Sequence, residues 1–465
     1  MKPNNKAAIY ALLTICLLLP LHAFAGGVDD YVKARMAENH VPGVAVAVIS
    51  KGRVVKIKGY GVASLEFNVP VTPQTAFEIG SVSKQMTAAA IMLLVEEGKI
   101  NLDDPVSKYL RNTPDAWKAV TIRHLLTHSS GVKSYTSLEG FELLKRMKVD
   151  DFIKKLAPEP LEFTPGEKNI YSNSGFSILA YVIESVSGKP YMDFMRERIF
   201  TPLGMKTCTD RDPQIIVPNR ATGYEWTGER FTGRSWDLTD LKGAGTIVCT
   251  INDMVSWDQA LRGDKFLSPA SRKAIWTKFT FNNGQQSPYG FGWRISDIRG
   301  HNLIGHTGQT AGFAAANFRY VDDDTAVIVL TNNGEQGLGG VIATGVAKLY
   351  IPSMSLRAMK AVTDTERGRT ERVLKALNSR LANKPEAELM TPSLIQSLSS
   401  QRARKANERI TAFGLVKTFI LVGEESTDGK KTYLYRADSG KRIFLWRVAF
   451  DSNGRISEMT LDEEE

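Results

Sequence analysis

Strand-like segments lie far apart in this chain, and helical ones fill the interval between them. Val44 to Ile49 and Val54 to Tyr60 flank Lys51-Gly52 and read as a β-hairpin. Far downstream, Phe291 to Ile295, Leu303 to Gly305, Phe313 to Tyr320 and Ala326 to Thr331 alternate or run apolar as strands do. Val28 to Glu38 predicts a helix before the hairpin, and Leu338 to Tyr350 one after the last strand. From Asn101 to Thr239 the pattern is mostly helices and long loops, with helices expected over Val149 to Leu156 and Phe176 to Val186, and another over Ile251 to Leu261. The economical fold is α/β (α+β): one antiparallel sheet built from both ends of the domain, flanked by helices, with an inserted helical region. A cleft between the two parts is the natural place for a site.

Gly80-Ser81-Val82-Ser83-Lys84 stands just before an apolar run, Met86, Ala89, Ala90, Leu93 and Leu94, spaced at the helical period and stopped at Gly98. If Ser81 opens that helix, Lys84 lies one turn on, on the same face, and its amine reaches the hydroxyl. A serine hydroxyl is a weak nucleophile until a base takes its proton. The partial positive charge of a helix N-terminus, together with burial, disfavours the ammonium form and leaves a neutral amine able to act as that base. The same backbone N–H groups would hold a developing oxyanion. Alone, the spacing is equally that of an N-cap serine followed by a surface lysine.

At the N-terminus, Lys2 and Lys6 precede an apolar run from Ala7 to Leu19, then Pro20 and the small-x-small pattern Ala23-Phe24-Ala25. This predicts a signal peptide over residues 1–25 and an exported, periplasmic or secreted protein. The run is shorter than the ~20 residues that span a bilayer, so no membrane span is expected after cleavage. Removal of those residues lowers the formal charge from +9 to +7. Such a basic exported chain suits an anionic wall polymer or membrane surface, and nucleic acid is not an expected partner. Cys208 and Cys249 are the remaining cysteines; an oxidising compartment allows them to pair, and spacing alone permits two free thiols equally.

After Pro352 the composition shifts. Thr363 to Leu381 reads as a charged amphipathic helix, and Tyr433 to Tyr435, Ile443 to Phe450 and Ile456 to Leu461 as strands, separated by Asp428-Gly429, Ser439-Gly440 and Asn453-Gly454. The division expected is a main domain over 26–352 and a small α+β domain over 356–465, ending in a solvated acidic tail, Asp462 to Glu465. The C-terminal part carries no chemical motif.

Three islands carry chemistry: Ser81-Val82-Ser83-Lys84, Tyr171-Ser172-Asn173 and His306-Thr307-Gly308. Their order, with Ile122 to Gly131, Phe163 to Gly166, Pro202 to Met205, Gly243 to Gly245 and Gly290 to Trp293 around them, resembles the serine β-lactamase and penicillin-binding protein superfamily over residues 29–350. The likeness is to its class C β-lactamase-related branch of D,D-carboxypeptidases, D-aminopeptidases and family VIII esterases. The resemblance implies an acyl-serine hydrolase without cofactor. Ser81 would be the nucleophile, Lys84 or Tyr171 its base, and Asn173 a partner of substrate amide or Lys84. His306, Thr307 and Gly308 would line the substrate site, and the backbone N–H groups of Ser81 and Gln309 would form the oxyanion hole.

His124 and His128, four residues apart, lack a third ligand, so no metal is expected. The third island departs from the Lys-Thr-Gly of typical β-lactamases. A histidine there is mostly neutral at pH 7, where lysine would be a permanent cation for a substrate carboxylate. The expected substrate is therefore a small peptide, amide or ester, with peptidoglycan peptides as one source. A β-lactamase, or a penicillin-recognising or wall-binding protein with little turnover, is the alternative.

Overall fold

The computed structural model describes residues 25–139, 148–212, 214–234, 242–427 and 430–464. The leader expected over 1–25 therefore lies outside the described residues except for Ala25, where α1 (Ala25–Glu38) begins. Among the described residues the main sheet contains seven strands: β1 (Gly43–Ser50), β2 (Arg53–Ser64), β3 (Val69–Pro70), β9 (Arg294–Ile298), β10 (His301–Thr310), β11 (Phe313–Tyr320) and β12 (Thr325–Thr331), in the order β3-β2-β1-β12-β11-β10-β9. The two chain ends meet where β1 pairs antiparallel with β12, Val46 opposite Val329. The antiparallel sheet assembled from both ends is thus present as expected.

β1 is buried on both faces, which is why its sequence, Gly-Val-Ala-Val-Ala-Val-Ile-Ser, reads as an unbroken apolar run. Alternate side chains point to opposite sides. Ala45, Ala47 and Ile49 join Ile328 and Leu330 in the core facing the helical region. Val44, Val46 and Val48 join Val327 and Val329 in a second core, closed by Val28 and Val32 of α1 and by Ile342, Ala343 and Val346 of α9 (Leu338–Tyr350).

The helical region contains α2 (Ser83–Glu96), α3 (Ile122–Leu126), α4 (Val149–Leu156), α5 (Asn173–Ser187), α6 (Tyr191–Met195), α7 (Ile251–Ala260) and α8 (Pro269–Ile275). α2 is buried on every side from Ser83 through Leu94 and runs through the centre of this half. A small sheet leads into it: β4 (Ala76–Glu78) pairs with β8 (Ile247–Thr250), which pairs with β5 (Thr209–Asp210). Cys208 and Cys249 are joined by a disulfide at this sheet, which resolves the alternative the sequence left open. A short hairpin, β6 (Tyr224–Trp226) with β7 (Phe231–Gly233), lies outside it. No helix among the described residues is long and apolar enough to cross a membrane.

Glu78, the last residue of β4, is buried; it forms an ion pair with Arg211 at 2.8 Å and accepts hydrogen bonds from Arg220 at 3.0 Å and the Thr310 hydroxyl at 2.6 Å. It ties the chain just before Ser81 to the end of β10, just after Gln309. Removing one partner of a buried ion pair costs about 3–5 kcal/mol. Glu78→Gln is expected to lose about that much in urea unfolding; a loss below ~1 kcal/mol would mean the network does not hold this junction.

The C-terminal elements are α10 (Arg369–Leu381), α11 (Pro392–Leu398), α12 (Gln401–Thr411) and the meander β13 (Thr418–Thr427), β14 (Lys430–Asp438), β15 (Ile443–Phe450) and β16 (Ile456–Glu464). They enclose a core of their own, with Val373, Leu377, Tyr435, Trp446 and Val448. In the connection, Met354 is buried in the core beneath α9, and Leu356 against Leu434 and Leu445 of the meander.

Several boundaries differ from expectation. Ser81 does not open the α-helix; it lies in a 3-10 turn, Gly80–Val82, that precedes α2. His306-Thr307-Gly308 is not a connection between strands but lies within β10. Phe291 to Trp293 precede β9 instead of forming it, because Gly292 takes a positive φ of 76°. α10 begins only at Arg369, and β13, α11 and α12 had no predicted counterpart. The backbone of the acidic tail continues in β16 through Glu464, paired with Phe444. The Asp428-Gly429 turn lies outside the described residues.

Candidate active site

Two glycines set the nucleophile turn against the sheet. Gly80 has φ +51°, and a Cβ there would lie 2.6 Å from the backbone nitrogen of Gln309. A Cβ at Gly308 would lie 1.9 Å from the Ile79 carbonyl oxygen and 3.2 Å from the Ser81 nitrogen. No larger residue fits at either position without moving backbone. The turn therefore rests directly on β10, and the backbone nitrogens of Ser81 and Gln309 flank one seam.

One turn into α2, Lys84 is fully buried, and its Nζ has three acceptors: Ser81 Oγ at 3.0 Å, Asn173 Oδ1 at 2.8 Å and the Ala244 carbonyl at 2.6 Å. An ammonium would donate to all three. A neutral amine would donate to Asn173 and Ala244, leaving its lone pair for the Ser81 O–H. Burial disfavours the charged form and holds the Lys84 pKa well below its ordinary value. Gly243 permits this close packing, since a Cβ there would lie 2.3 Å from the Phe176 carbonyl oxygen.

Tyr171 donates its hydroxyl to the same Ser81 Oγ at 2.8 Å, and its ring stands 4.8 Å from the Lys84 amine. Buried surroundings raise its pKa above the ordinary phenol value, which keeps the proton on the oxygen. Its position is fixed by neighbours that sequence reasoning did not assign to it. His128 packs its ring 4.3 Å from Tyr171, and its Nδ1 accepts the backbone N–H of Ser172 at 3.2 Å. Burial first, then the nearby Lys84, keeps His128 neutral. Ser172 caps α5 by accepting from the Gly175 N–H, and Ser134 Oγ accepts the N–H of Asn173 at 3.2 Å. His124 instead closes a capping box with Thr121 on α3. The two histidines thus serve backbone groups, and no metal-ligating cluster occurs among the described residues.

His306 lines the same cavity with both ring nitrogens engaged: Nδ1–H donates to the Thr307 carbonyl at 2.5 Å, and Nε2 accepts from the Tyr289 hydroxyl at 2.7 Å. Burial pushes its pKa down to about 3, so it is a neutral wall, consistent with the neutrality expected at this position. The cavity encloses about 470 Å³ over Ser81 and Tyr171, with Thr307, Gly308 and Gln309 on one side and Arg294 and Ser296 of β9 on another. All eight residues singled out from the sequence, Ser81, Lys84, Tyr171, Asn173, His306, Thr307, Gly308 and Gln309, converge here. Tyr289, His128 and Arg294 were missed, since each is a lone residue whose place depends on packing.

A seryl oxygen between a buried amine and a phenol, over a seam of backbone nitrogens, is an arrangement for acyl transfer, and similarity to known proteins agrees. Residues 28–348 match the Beta-lactamase family model. A penicillin-binding protein of Bacillus subtilis (strain 168) is 31% identical over 319 residues, covering 64% of this chain and 70% of that protein. A D-aminopeptidase of Brucella canis is 31% identical over 299 residues, 63% of this chain and 56% of that protein. Among solved structures, a penicillin-binding protein from Bacillus halodurans is similar over 68% of this chain and 98% of its own, with TM-score 0.60 and 25% identity. The octameric penicillin-binding protein homologue from Pyrococcus abyssi shares the fold over 92% of this chain and 96% of its own, C-terminal elements included, with TM-score 0.61 and 23% identity. Because the family match takes in both ends of the main sheet and everything between them, the chain belongs to the β-lactamase family, within the superfamily of β-lactamases and penicillin-binding proteins, and is a serine hydrolase.

Proposed function

We propose that this protein is an exported hydrolase that cleaves a peptide, amide or ester bond through an acyl-Ser81 intermediate. The observation that carries the reading is the pair of contacts on Ser81 Oγ, Lys84 Nζ at 3.0 Å and the Tyr171 hydroxyl at 2.8 Å. Lys84, with its own two N–H groups engaged by Asn173 and Ala244, accepts the Ser81 proton as Oγ attacks the carbonyl carbon. The carbonyl oxygen turns toward the backbone N–H groups of Ser81 and Gln309, and donors of that kind contribute about 3–4 kcal/mol of transition-state stabilisation each. The tetrahedral intermediate collapses with loss of the amine or alcohol, which leaves with the proton delivered through the Tyr171 O–H. Water then repeats the sequence on the ester and frees Ser81.

The division of labour proposed is hydrolysis in residues 26–352, with 356–465 an accessory domain. The Cys208–Cys249 disulfide supports export, since such bonds persist in oxidising compartments. The relatives named for penicillin binding and D-aminopeptidase activity support a small-peptide or amide substrate, with wall peptides as a source. Time-resolved intact mass of the purified protein with a neutral activated ester tests the reading. Expected is a transient adduct of one acyl group, located by digestion to the peptide that contains Ser81. Steady turnover without any adduct on Ser81 under acid quench would sink the acyl-serine reading.

A further inference from the structure

Beside the catalytic cavity lies a second and larger one, of about 1100 Å³, walled by Ile298 of β9, Leu303 of β10 and Phe318 of β11 on one side and by α9 on the other. The two cavities share Leu303 and Phe318. Leu303, Gly305 and Thr307 alternate along β10 and so share the strand face turned to α9. The catalytic cavity includes all three, and Phe318 stands opposite Gly305 across the ladder. A continuous strip of β10 thus runs from the rim of the Ser81 site into the second cavity.

The helix supplies the other wall. Ile342, Ala343 and Val346 of α9 fill the core. Gly340, Thr344 and Lys348, one turn apart on another face, line the cavity together with Val341 and Gly345. From Gly340 to Lys348 the helix rises about 12 Å, which gives the groove its length. Glycine weakens a helix interior, so each one here calls for a reason. A Cβ at Gly339 would lie 2.7 Å from the backbone of Ala315, and one at Gly345 would lie 1.9 Å from the Tyr31 hydroxyl. At Gly340 the nearest atoms to a Cβ belong to side chains, Thr307 Cγ2 at 3.2 Å and Phe318 Cζ at 3.3 Å. Thr307 lines the catalytic cavity and Phe318 lines both. The missing side chain at position 340 is therefore the opening between the two.

We propose that this groove holds an unbranched alkyl chain of the substrate, so that the protein acts on amphiphilic esters or amides. The proposal rests on the acyl-serine reading above and narrows it. Ile298, Leu303, Phe318 and Leu349 offer apolar walls, and Val341, 52% exposed, offers apolar surface that a chain would cover. Methylenes gain from such walls in proportion to the area they bury. A passage one side chain wide suits a single polymethylene chain. The charged residues of the described lining are Arg35, Lys348 and Arg357, with no carboxylate among them. They repel a chain that carries ammonium groups and accept one that ends in a methyl or an anion.

Two ester series test this, both kept below micelle-forming concentrations. Para-nitrophenyl alkanoates from acetyl to decanoyl place the chain on the acyl side, and acetates of straight-chain alcohols from ethyl to decyl place it on the leaving side. In the wild-type protein kcat/KM is expected to climb in one series by about three- to fourfold per methylene, the worth of burying one, and then to reach a plateau. Gly340→Leu should flatten the climb, with a loss that grows with chain length and is smallest at acetate. Thr344→Phe, which blocks the groove one turn further on, should bring the plateau at a shorter chain. If Gly340→Leu loses the acetyl ester as severely as the decanoyl one, Thr344→Phe decides, and an unchanged plateau there overturns the groove. A wild-type rate independent of chain length in both series, or a climb that survives both variants, would also overturn it while leaving the acyl-serine reading intact. Absence of wild-type turnover of para-nitrophenyl acetate, or turnover that survives Ser81→Ala, would overturn that reading and this proposal with it.

Discussion

Replacing Ser81 by alanine is expected to lower kcat/KM by about five to six powers of ten, the scale on which loss of a nucleophile acts when the rest of its catalytic unit remains. The acyl adduct should vanish altogether. The fold should survive, because Lys84 keeps Asn173 and Ala244 as acceptors when Oγ is removed. Unfolding by urea should therefore shift by less than about 1 kcal/mol, as truncating a hydroxyl without leaving an unsatisfied charge predicts. Ser83 is the necessary control, since it lies two residues away in the same island. Its hydroxyl is buried and accepts the backbone N–H of Ile247 at 3.3 Å. Ser83→Ala should keep the adduct and most of the activity. If Ser81→Ala retained more than about 1% of activity while Ser83→Ala lost it, the nucleophile would be Ser83.

The chemistry was more legible in the sequence than the way it is held. Ser81, Lys84, Tyr171 and Asn173 could be read because acyl transfer requires a hydroxyl, a base and a proton donor, and few residue types supply them. The sheet could be read because β1 and β12, buried on both faces, are continuous apolar runs. Much of what positions the site depends on contacts between residues far apart in the chain. His128 reads as half of a possible metal pair until it is seen beside Tyr171, holding Ser172. Tyr289 reads as an ordinary aromatic until its hydroxyl meets His306. Arg294 follows a tryptophan in a short strand, and only the register that places it opposite Gly305 turns it toward the cavity. Ser81 was placed in the helix because the apolar period continues toward it; the positive φ of Gly80 is what turns the chain first. In the C-terminal region β13 and α12 escaped notice because polar residues obscure their periods, with Glu424 and Glu425 in the strand and five charged residues among the eleven of the helix.

The sequence left the base undecided between Lys84 and Tyr171, and the structure gives the two groups opposite pH signatures. Burial lowers the Lys84 pKa and raises that of Tyr171. A neutral lysine forms as pH rises through its depressed pKa, so kcat/KM should climb along an alkaline-going limb that lies below the ordinary lysine range. Tyr171 stays protonated across that limb and acts as a donor. Lys84→Met is expected to cost about 10²–10⁴-fold, the usual contribution of a general base, and to abolish the limb. Lys84→Arg should be equally inactive, since a guanidinium offers no lone pair at accessible pH. Tyr171→Phe should lower the rate yet keep the limb in place, because the group that titrates is still present. The reverse pattern, a limb lost in Tyr171→Phe and kept in Lys84→Met, would make the tyrosine the base. The same depressed pKa has a second consequence. Below the ordinary lysine value the unfolded chain binds a proton that the folded protein refuses. Wild-type stability should therefore rise with pH between the two pKa values, and this slope should disappear in Lys84→Met. A protein that holds an amine uncharged in its interior gives up stability at neutral pH, and here that amine is the group that takes the proton of Ser81.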